Sequence, residues 1–199
     1  MHSRTRGFSL VELLIVMALV TCAYAFMFGP GTAWSQGRAK TRCAQQLQQM
    51  HAALSLYAAE HAGSFPAAGD ARTSEPALSQ LVPLYTTDTT IFICPGSGQS
   101  GLPGAQPFAD RRCSYAYVTG LKNDAAPDQA LASDAQISTI AKATGEPLFS
   151  TTGKAPGNNH RGFGGSVLFV DGHVETQDTA LARRDFTLPP GAQLLNPKP

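Results

Sequence analysis

The sequence predicts an α+β fold in which a long N-terminal helix packs on a small antiparallel β-sheet. Three observations lead to this prediction. Phe8–Phe28 is a run of 21 residues with one charge, a helical repeat of apolar residues follows it, and residues 64–199 alternate short apolar runs with turn residues. The net charge of +1 argues against a nucleic-acid surface, which needs a concentrated basic face.

The first element is a candidate transmembrane helix that contains a carboxylate. Residues 8–28 would rise about 30 Å as an α-helix, which matches the hydrocarbon core of a bilayer. Glu12 is their one charged residue, and a carboxylate inside a span costs about 2.5–3.5 kcal/mol on insertion scales. The helix dipole offsets about 0.3–1 kcal/mol of that cost. A partner cation at the same depth would account for Glu12 better, although an ordinary signal anchor stays open.

The stretch "RGFSLVELLIVMALV" resembles the class III signal of prepilins and pseudopilins. In that family a short basic leader ends in glycine and is followed by phenylalanine and an apolar helix with glutamate as its fifth residue. The resemblance implies that prepilin peptidase removes residues 1–7 by cutting after Gly7 and then methylates the new terminus at Phe8. It also implies that Glu12 pairs with the terminal ammonium of a neighbouring subunit during assembly.

Residues 29–63 are predicted to continue as an amphipathic helix. Gly-Pro-Gly at 29–31 interrupts or kinks it, because Pro30 lacks a backbone donor, and Gly63 is expected to cap its end. Between these points, residues spaced by three or four positions share one face: Cys43, Leu47, Met50, Leu54, Tyr57 and His61. This stripe needs a cover, so we expect the C-terminal domain to pack on it.

Residues 64–199 are predicted to form a β-rich head with a C-terminal hairpin and a tail. Strands are expected at Thr90–Cys94 and in "CSYAYVTG". Asp171-Gly172 lies between two alternating apolar runs, which predicts a two-residue hairpin with a type I′ turn. Segment 122–147 is predicted to be a surface excursion, and "TLPPGAQLLNPKP" an extended tail.

The head also resembles a large bacterial group of prepilin-like proteins, in which a sheet packs on the helix. The segments that carry the resemblance are, in order, "CAQQLQQMHAALSLYAAEHAGSFP", "LVPLYTTDTTIFICPGS", "CSYAYVTG" and "NNHRGFGGSVLFVDGHVE". That group has a C-terminal box of His, about nine residues, and then Asp-Gly. Here ten positions separate His160 from Asp171, and Ser166 stands where the group often has Asn.

The four cysteines have no short C-x-x-C spacing, which argues against zinc-finger or thioredoxin-like sites. Cys94 and Cys113 both lie in the loop-rich head. If the head is outside the cytoplasm, a Cys94–Cys113 disulfide would stabilise it by about 3 kcal/mol on the loop-entropy model. The alternative is a pair of buried free thiols. Cys43 is interpreted as a small core residue of the helix stripe.

A metal site is one hypothesis for the hairpin region. His160, Asp171 and His173, with Asn159 nearby, could ligate a transition metal or, through oxygen, Ca²⁺, which some pseudopilin heads bind. The favoured alternative makes Asp171 a turn residue, His173 a strand residue and His160 a hydrogen-bonding loop residue, with no cofactor. The sequence contains no nucleophile elbow, metalloprotease helix motif or P-loop, so we do not expect an enzyme.

These features predict a pseudopilin or minor pilin, a structural subunit of a type II secretion-like or type IV pilus-like filament. It would cross the bacterial cytoplasmic membrane once, with the N-terminus inside and the head outside. The expected partners are prepilin peptidase, other pilin or pseudopilin subunits and membrane lipid, but not nucleic acid. The alternative is a non-polymerising binding module that the helix tethers to the membrane.

Overall fold

The computed structural model describes residues 9–28 and 33–199. The predicted leader at 1–7 and the Gly-Pro-Gly interruption at 29–31 therefore lie outside the described residues. The chain divides into two compact units, residues 1–35 and residues 36–199.

The first unit contains helix α1, Leu10–Phe28. Leu10–Met27 is long and apolar enough to cross a membrane, and none of it is buried by the rest of the protein. It is the one helix among the described residues that meets this test. A helix that is apolar on every side and uncovered suits a lipid environment, which agrees with the predicted membrane anchor.

The amphipathic helix α2, Ala33–Glu60, belongs to the second unit from residue 36 onward. Four residues of the predicted stripe are fully buried: Cys43, Leu47, Met50 and Leu54. Tyr57 is half-buried, and His61, beyond the helix end, is exposed. The C-terminus of α2 is capped at Gly63, as predicted. The Gly63 N–H donates to the Ala58 carbonyl at 2.8 Å. Ala62 and Gly63 both have positive φ (51° and 81°), as in a Schellman-type cap.

The stripe of α2 packs on a five-stranded antiparallel sheet with the order β4-β3-β2-β1-β5. The strands are β1 (Tyr115–Thr119), β2 (Ala130–Asp134), β3 (Gly165–Phe169), β4 (Val174–Gln177) and β5 (Gln193–Leu195). A short helix α3 (Glu75–Leu78) and 3₁₀ turns at Ser79–Leu81 and Thr89–Phe92 lie between α2 and β1.

One hydrophobic core joins helix and sheet. Polar contacts fix their register: Tyr115 Oη donates to Gln46 Oε1 at 2.8 Å, and His51 Nε2 lies 2.9 Å from the Val170 carbonyl. The predicted α+β fold is confirmed.

Three local predictions are wrong. Thr90–Cys94 is not a strand, because Asp88 Oδ1 accepts from the Thr90 N–H at 2.9 Å and starts a 3₁₀ turn instead. Segment 122–147 is not only a surface excursion, since it contains β2. This strand is the central one of the sheet, and every residue of β2 is buried. The C-terminal tail contains β5, which pairs with β1.

The hairpin between β3 and β4 is confirmed, but its turn type is not. Phe169 N–H donates to the His173 carbonyl and Gly172 N–H to the Phe169 carbonyl, both at 3.0 Å. Three residues, 170–172, therefore form the loop. Gly172 has a φ of 89° and Asp171 is not in the positive-φ region, whereas a type I′ turn needs positive φ at both central residues. The geometry fits a type I turn followed by a left-handed glycine.

Candidate functional site

Glu12 lies in the first turn of α1. Its Oε2 accepts a hydrogen bond from the Ser9 backbone N–H at 3.1 Å. This contact satisfies one of the backbone donors that a helix start leaves unpaired, and the carboxylate complements the positive end of the helix dipole. The other two predicted processing residues, Gly7 and Phe8, lie outside the described residues.

The structure pairs Cys94 with Cys43, so the predicted Cys94–Cys113 disulfide is wrong. The Cα atoms of Cys43 and Cys94 are 5.5 Å apart, within the ordinary range for a disulfide. Cys43 lies on the buried stripe of α2. This stripe covers the segment after the second 3₁₀ turn, and Cys94 lies in that segment. Cys43 is therefore a cross-link between helix and head and not simply a core residue.

Cys113 is a buried free thiol. Its Sγ lies 3.4 Å from Ser74 Oγ and 3.5 Å from the Tyr115 carbonyl oxygen. Burial, and then the nearby Glu75 carboxylate, raise the pKa of the thiol to about 12. The reactive thiolate is consequently scarce at neutral pH, which makes Cys113 an inert core residue.

A buried polar cluster adjoins the disulfide. His160 is fully buried, and its Nε2 lies 3.3 Å from Cys94 Sγ and 3.3 Å from Asp134 Oδ2. Asp134, the last residue of β2, accepts from Asn159 Nδ2 through Oδ1 and from the Ser166 N–H through Oδ2, both at 2.8 Å. The Asp134 carboxylate thus joins β2 to β3 and to the loop that precedes β3.

The predicted metal set of His160, Asp171 and His173 does not form one group of donors. Asp171 accepts from the His173 backbone N–H at 3.0 Å and pairs with the His173 ring. These two hydrogen bonds, the backbone one first, lower the pKa of Asp171. His160 instead belongs to a group with Cys43, Cys94 and Asp134, the one set of three or more such donors found in the described part of the chain.

Sequence reasoning missed the partners of His160. Asp134 lies in segment 122–147, where no periodic pattern marks a strand. Cys43 carried a weak signal, because it begins the apolar stripe of α2 and a stripe residue must face the head.

A buried lysine fastens α2 to the base of the β3–β4 hairpin. Lys40 is 7% exposed. Its Nζ donates to the Phe163 carbonyl at 3.0 Å, the Gln177 carbonyl at 3.2 Å and the Asp178 carboxylate at 3.1 Å. A charged group with this many acceptors is well compensated for its burial.

We expect Lys40→Met to lower the free energy of unfolding by about 1–3 kcal/mol, because the buried Gln177 carbonyl and the Phe163 carbonyl lose their donor. Methionine retains much of the apolar stem, so the change isolates the ammonium group. Chemical denaturation of the full-length chain in detergent measures the effect. Lys154→Met is the matched control at an exposed site and should stay within about 0.5 kcal/mol of wild type. Equal effects at both positions would contradict the assigned role of Lys40.

Comparison with known proteins identifies the N-terminal segment. Residues 2–23 match the family model of the prokaryotic N-terminal methylation motif. No curated protein and no solved structure matches the chain. The matched range includes Gly7, Phe8 and Glu12, so the predicted prepilin-like motif is confirmed. The chain therefore carries the N-terminal motif of a type IV pilin-like structural substrate of prepilin peptidase.

Proposed function

We propose that this protein is a pseudopilin or minor pilin that assembles into a type II secretion-like or type IV pilus-like filament through its N-terminal helix. The observation that carries the proposal is the methylation motif at residues 2–23, which runs into a helix that is apolar, exposed and charged only at Glu12. A protein that is only tethered to the membrane needs an apolar helix but no charge within it. Assembly into a filament also gives the Glu12 carboxylate a function.

In this account, prepilin peptidase cuts after Gly7 and methylates the amino group of Phe8. The mature chain then begins with an ammonium group four residues before Glu12. The Ser9 N–H occupies one oxygen of the Glu12 carboxylate, and a carboxylate has a second oxygen to offer. Pairing with the ammonium of a neighbouring subunit would neutralise both charges in the apolar layer and set the register between helices.

The Cys43–Cys94 disulfide supports a head outside the cytoplasm. Disulfides persist in oxidising compartments and are rare in the cytosol. With the leader processed at the cytoplasmic face, the chain crosses the membrane once, N-terminus inside. The disulfide fastens α2 to the Cys94 segment and Lys40 fastens it to the base of the β3–β4 hairpin, so the head can be carried on the helix as one body.

A groove in the head favours a second candidate, a membrane-tethered binding module that does not polymerise. The groove has a volume of about 560 Å³. Its lining includes the amides of Gln99, Asn158 and Asn196 and two cationic residues, Arg112 and Lys198. The exposed lining is otherwise more apolar than polar, which suits a small amphipathic ligand that carries a polar or anionic group.

Fractionation of the native host separates the two candidates. We expect the mature protein to appear in a shearable, sedimenting filament fraction and to cross-link to pilin-type neighbours. A tethered module would remain entirely in the membrane fraction as a monomer after cross-linking, and that result would contradict the filament proposal.

A further inference from the structure

Four buried side chains with metal-ligand atoms meet where α2 lies on the sheet. They are Cys43 of α2, Cys94 after the second 3₁₀ turn, Asp134 at the end of β2 and His160 in the loop before β3. Each is at most 1% exposed, and their donor atoms all lie within 4.8 Å of one another. One residue of α2 and residues from three separate parts of the head thus converge on one small volume.

A disulfide alone does not account for this cluster. A disulfide is compatible with apolar surroundings, whereas a buried carboxylate and imidazole cost free energy unless their hydrogen bonds are made. The His160 ring is poorly satisfied. Its Nε2 lies 3.3 Å from Asp134 Oδ2, just beyond the usual range for a hydrogen bond to oxygen, and 3.3 Å from Cys94 Sγ, which is a weak acceptor. Its Nδ1 has no hydrogen-bond partner among the described residues.

The same distances match the edges of a zinc tetrahedron. Bonds of about 2.3 Å to sulfur and about 2.0–2.1 Å to nitrogen and oxygen give edges of about 3.3 Å between nitrogen and oxygen and about 3.6 Å between nitrogen and sulfur. His160 Nε2 lies 3.3 Å from Asp134 Oδ2 and 3.3 Å from Cys94 Sγ. Two edges are therefore near their required length before any metal enters.

The carboxylate is also held in place from outside the cluster. Asn159 Nδ2 and the Ser166 N–H each donate to one Asp134 oxygen at 2.8 Å. Hydrogen bonds of this kind orient a ligand and are a regular part of metal sites. Two thiolates and an imidazole favour Zn²⁺ strongly over Ca²⁺, which binds oxygen ligands.

We propose that the head has a second cross-linked state, in which the reduced Cys43 and Cys94 bind one Zn²⁺ together with His160 and Asp134. In both states α2 is joined to the segment that carries Cys94 at the same point, by a sulfur–sulfur bond or by a metal. The two states exclude each other, because the same two sulfur atoms form either the disulfide or the thiolate ligands.

Reduction and metal binding convert the disulfide state into the zinc state. A trialkylphosphine attacks the disulfide and, with one water molecule, becomes the phosphine oxide, while Cys43 and Cys94 gain two electrons and two protons as thiols. Zn²⁺ then displaces both thiol protons to solvent as the two zinc–sulfur bonds form. A dithiol can supply the same two electrons and two protons and is itself converted to a disulfide.

The test uses Co²⁺ as a spectroscopic probe on the full-length chain in detergent. Cys22→Ser and Cys113→Ser are introduced together, since these two thiols lie outside the cluster and would add background. After phosphine reduction, with a thiol count confirming two free cysteines, we expect one Co²⁺ per chain. It should show a thiolate charge-transfer band and tetrahedral d–d bands, and Zn²⁺ should abolish both. The same protein left oxidised is the matched control and should bind at least tenfold more weakly.

Ligand variants assign the site. His160→Ala should weaken Co²⁺ binding at least tenfold and change the d–d bands, while Cys94→Ser should reduce the charge-transfer band. Circular dichroism of oxidised His160→Ala, which keeps both cysteines, shows whether that variant is folded. A reduced protein that binds no more Co²⁺ than the oxidised form would overturn the proposal, as would spectra unchanged by Cys94→Ser. In either case the cluster would be a structural hydrogen-bond network only.

Discussion

We expect Glu12→Ala to reduce incorporation of the protein into filaments roughly 100-fold while leaving the head folded. An unpaired charge within the span costs about 2.5–3.5 kcal/mol, and each 1.4 kcal/mol corresponds to a factor of ten in an equilibrium. The variant would leave the ammonium of a neighbouring subunit without its partner at that depth. The measurement is the share of mature protein in the sheared filament fraction, normalised to total mature protein.

Glu12→Gln separates the two roles of this side chain. Its amide oxygen can still accept from the Ser9 N–H, which the Glu12 carboxylate does at 3.1 Å, but it carries no charge. We expect Glu12→Gln to assemble as poorly as Glu12→Ala, because assembly depends on the charge. Near-normal assembly of Glu12→Gln would show that helix capping is sufficient and would contradict charge pairing between subunits.

The second large effect concerns the cross-link between α2 and the head. Cys43 and Cys94 are separated by 51 positions in sequence, and on the loop-entropy model a disulfide closing such a loop contributes about 4 kcal/mol. We expect Cys43→Ala to lower the free energy of unfolding by about that amount. Denaturation is measured under oxidising conditions with a chelator present, so that no metal replaces the lost bond.

A double-mutant cycle checks the pairing. Cys43→Ala and Cys94→Ala each remove the same bond, so the double variant should cost little more than either single variant. Cys113→Ala is the matched control at another buried cysteine and should cost much less, because no cross-link is lost. Additive effects of Cys43→Ala and Cys94→Ala, or a Cys94–Cys113 peptide in a non-reducing digest, would contradict the observed pairing.

The elements with strong periodicity could be predicted from the sequence. The stripe from Cys43 to Leu54 repeats at helical spacing, and these positions are buried in α2. The β3–β4 hairpin was likewise marked by alternating residues on either side of Asp171-Gly172. Its turn was predicted wrongly because Asp-Gly fits both a two-residue loop and the last two positions of a three-residue loop. The hydrogen bonds of Phe169 decide between the two.

The centre of the sheet left no comparable signal. The sequence of β2, "ALASD", has one large apolar residue, Leu131, among small and polar ones, and it is buried throughout, so no alternation separates an inner from an outer face. The edge strand β5 is only three residues long and follows a Pro-Pro-Gly turn. Its pairing with β1 is a tertiary contact that local propensity does not encode.

The candidate sites divide in the same way. Glu12 was predictable because a charge in an apolar run stands out and has a measurable cost. The disulfide was not predictable, because the predicted partners Cys94 and Cys113 both lie in the loop-rich head. The true partner of Cys94 is Cys43, which reaches it only when α2 folds onto the head. Asp134 was missed together with the strand that carries it.

The intact mass of the protein purified from native membranes tests the proposed prepilin processing most directly. We predict a chain that has lost residues 1–7 and begins at Phe8, with one methyl group added to its amino terminus. That result would place an ammonium group at the start of the helix that carries Glu12. An uncut, unmethylated chain would contradict prepilin processing, because it would make the segment an ordinary anchor and remove the cation that Glu12 is proposed to pair with.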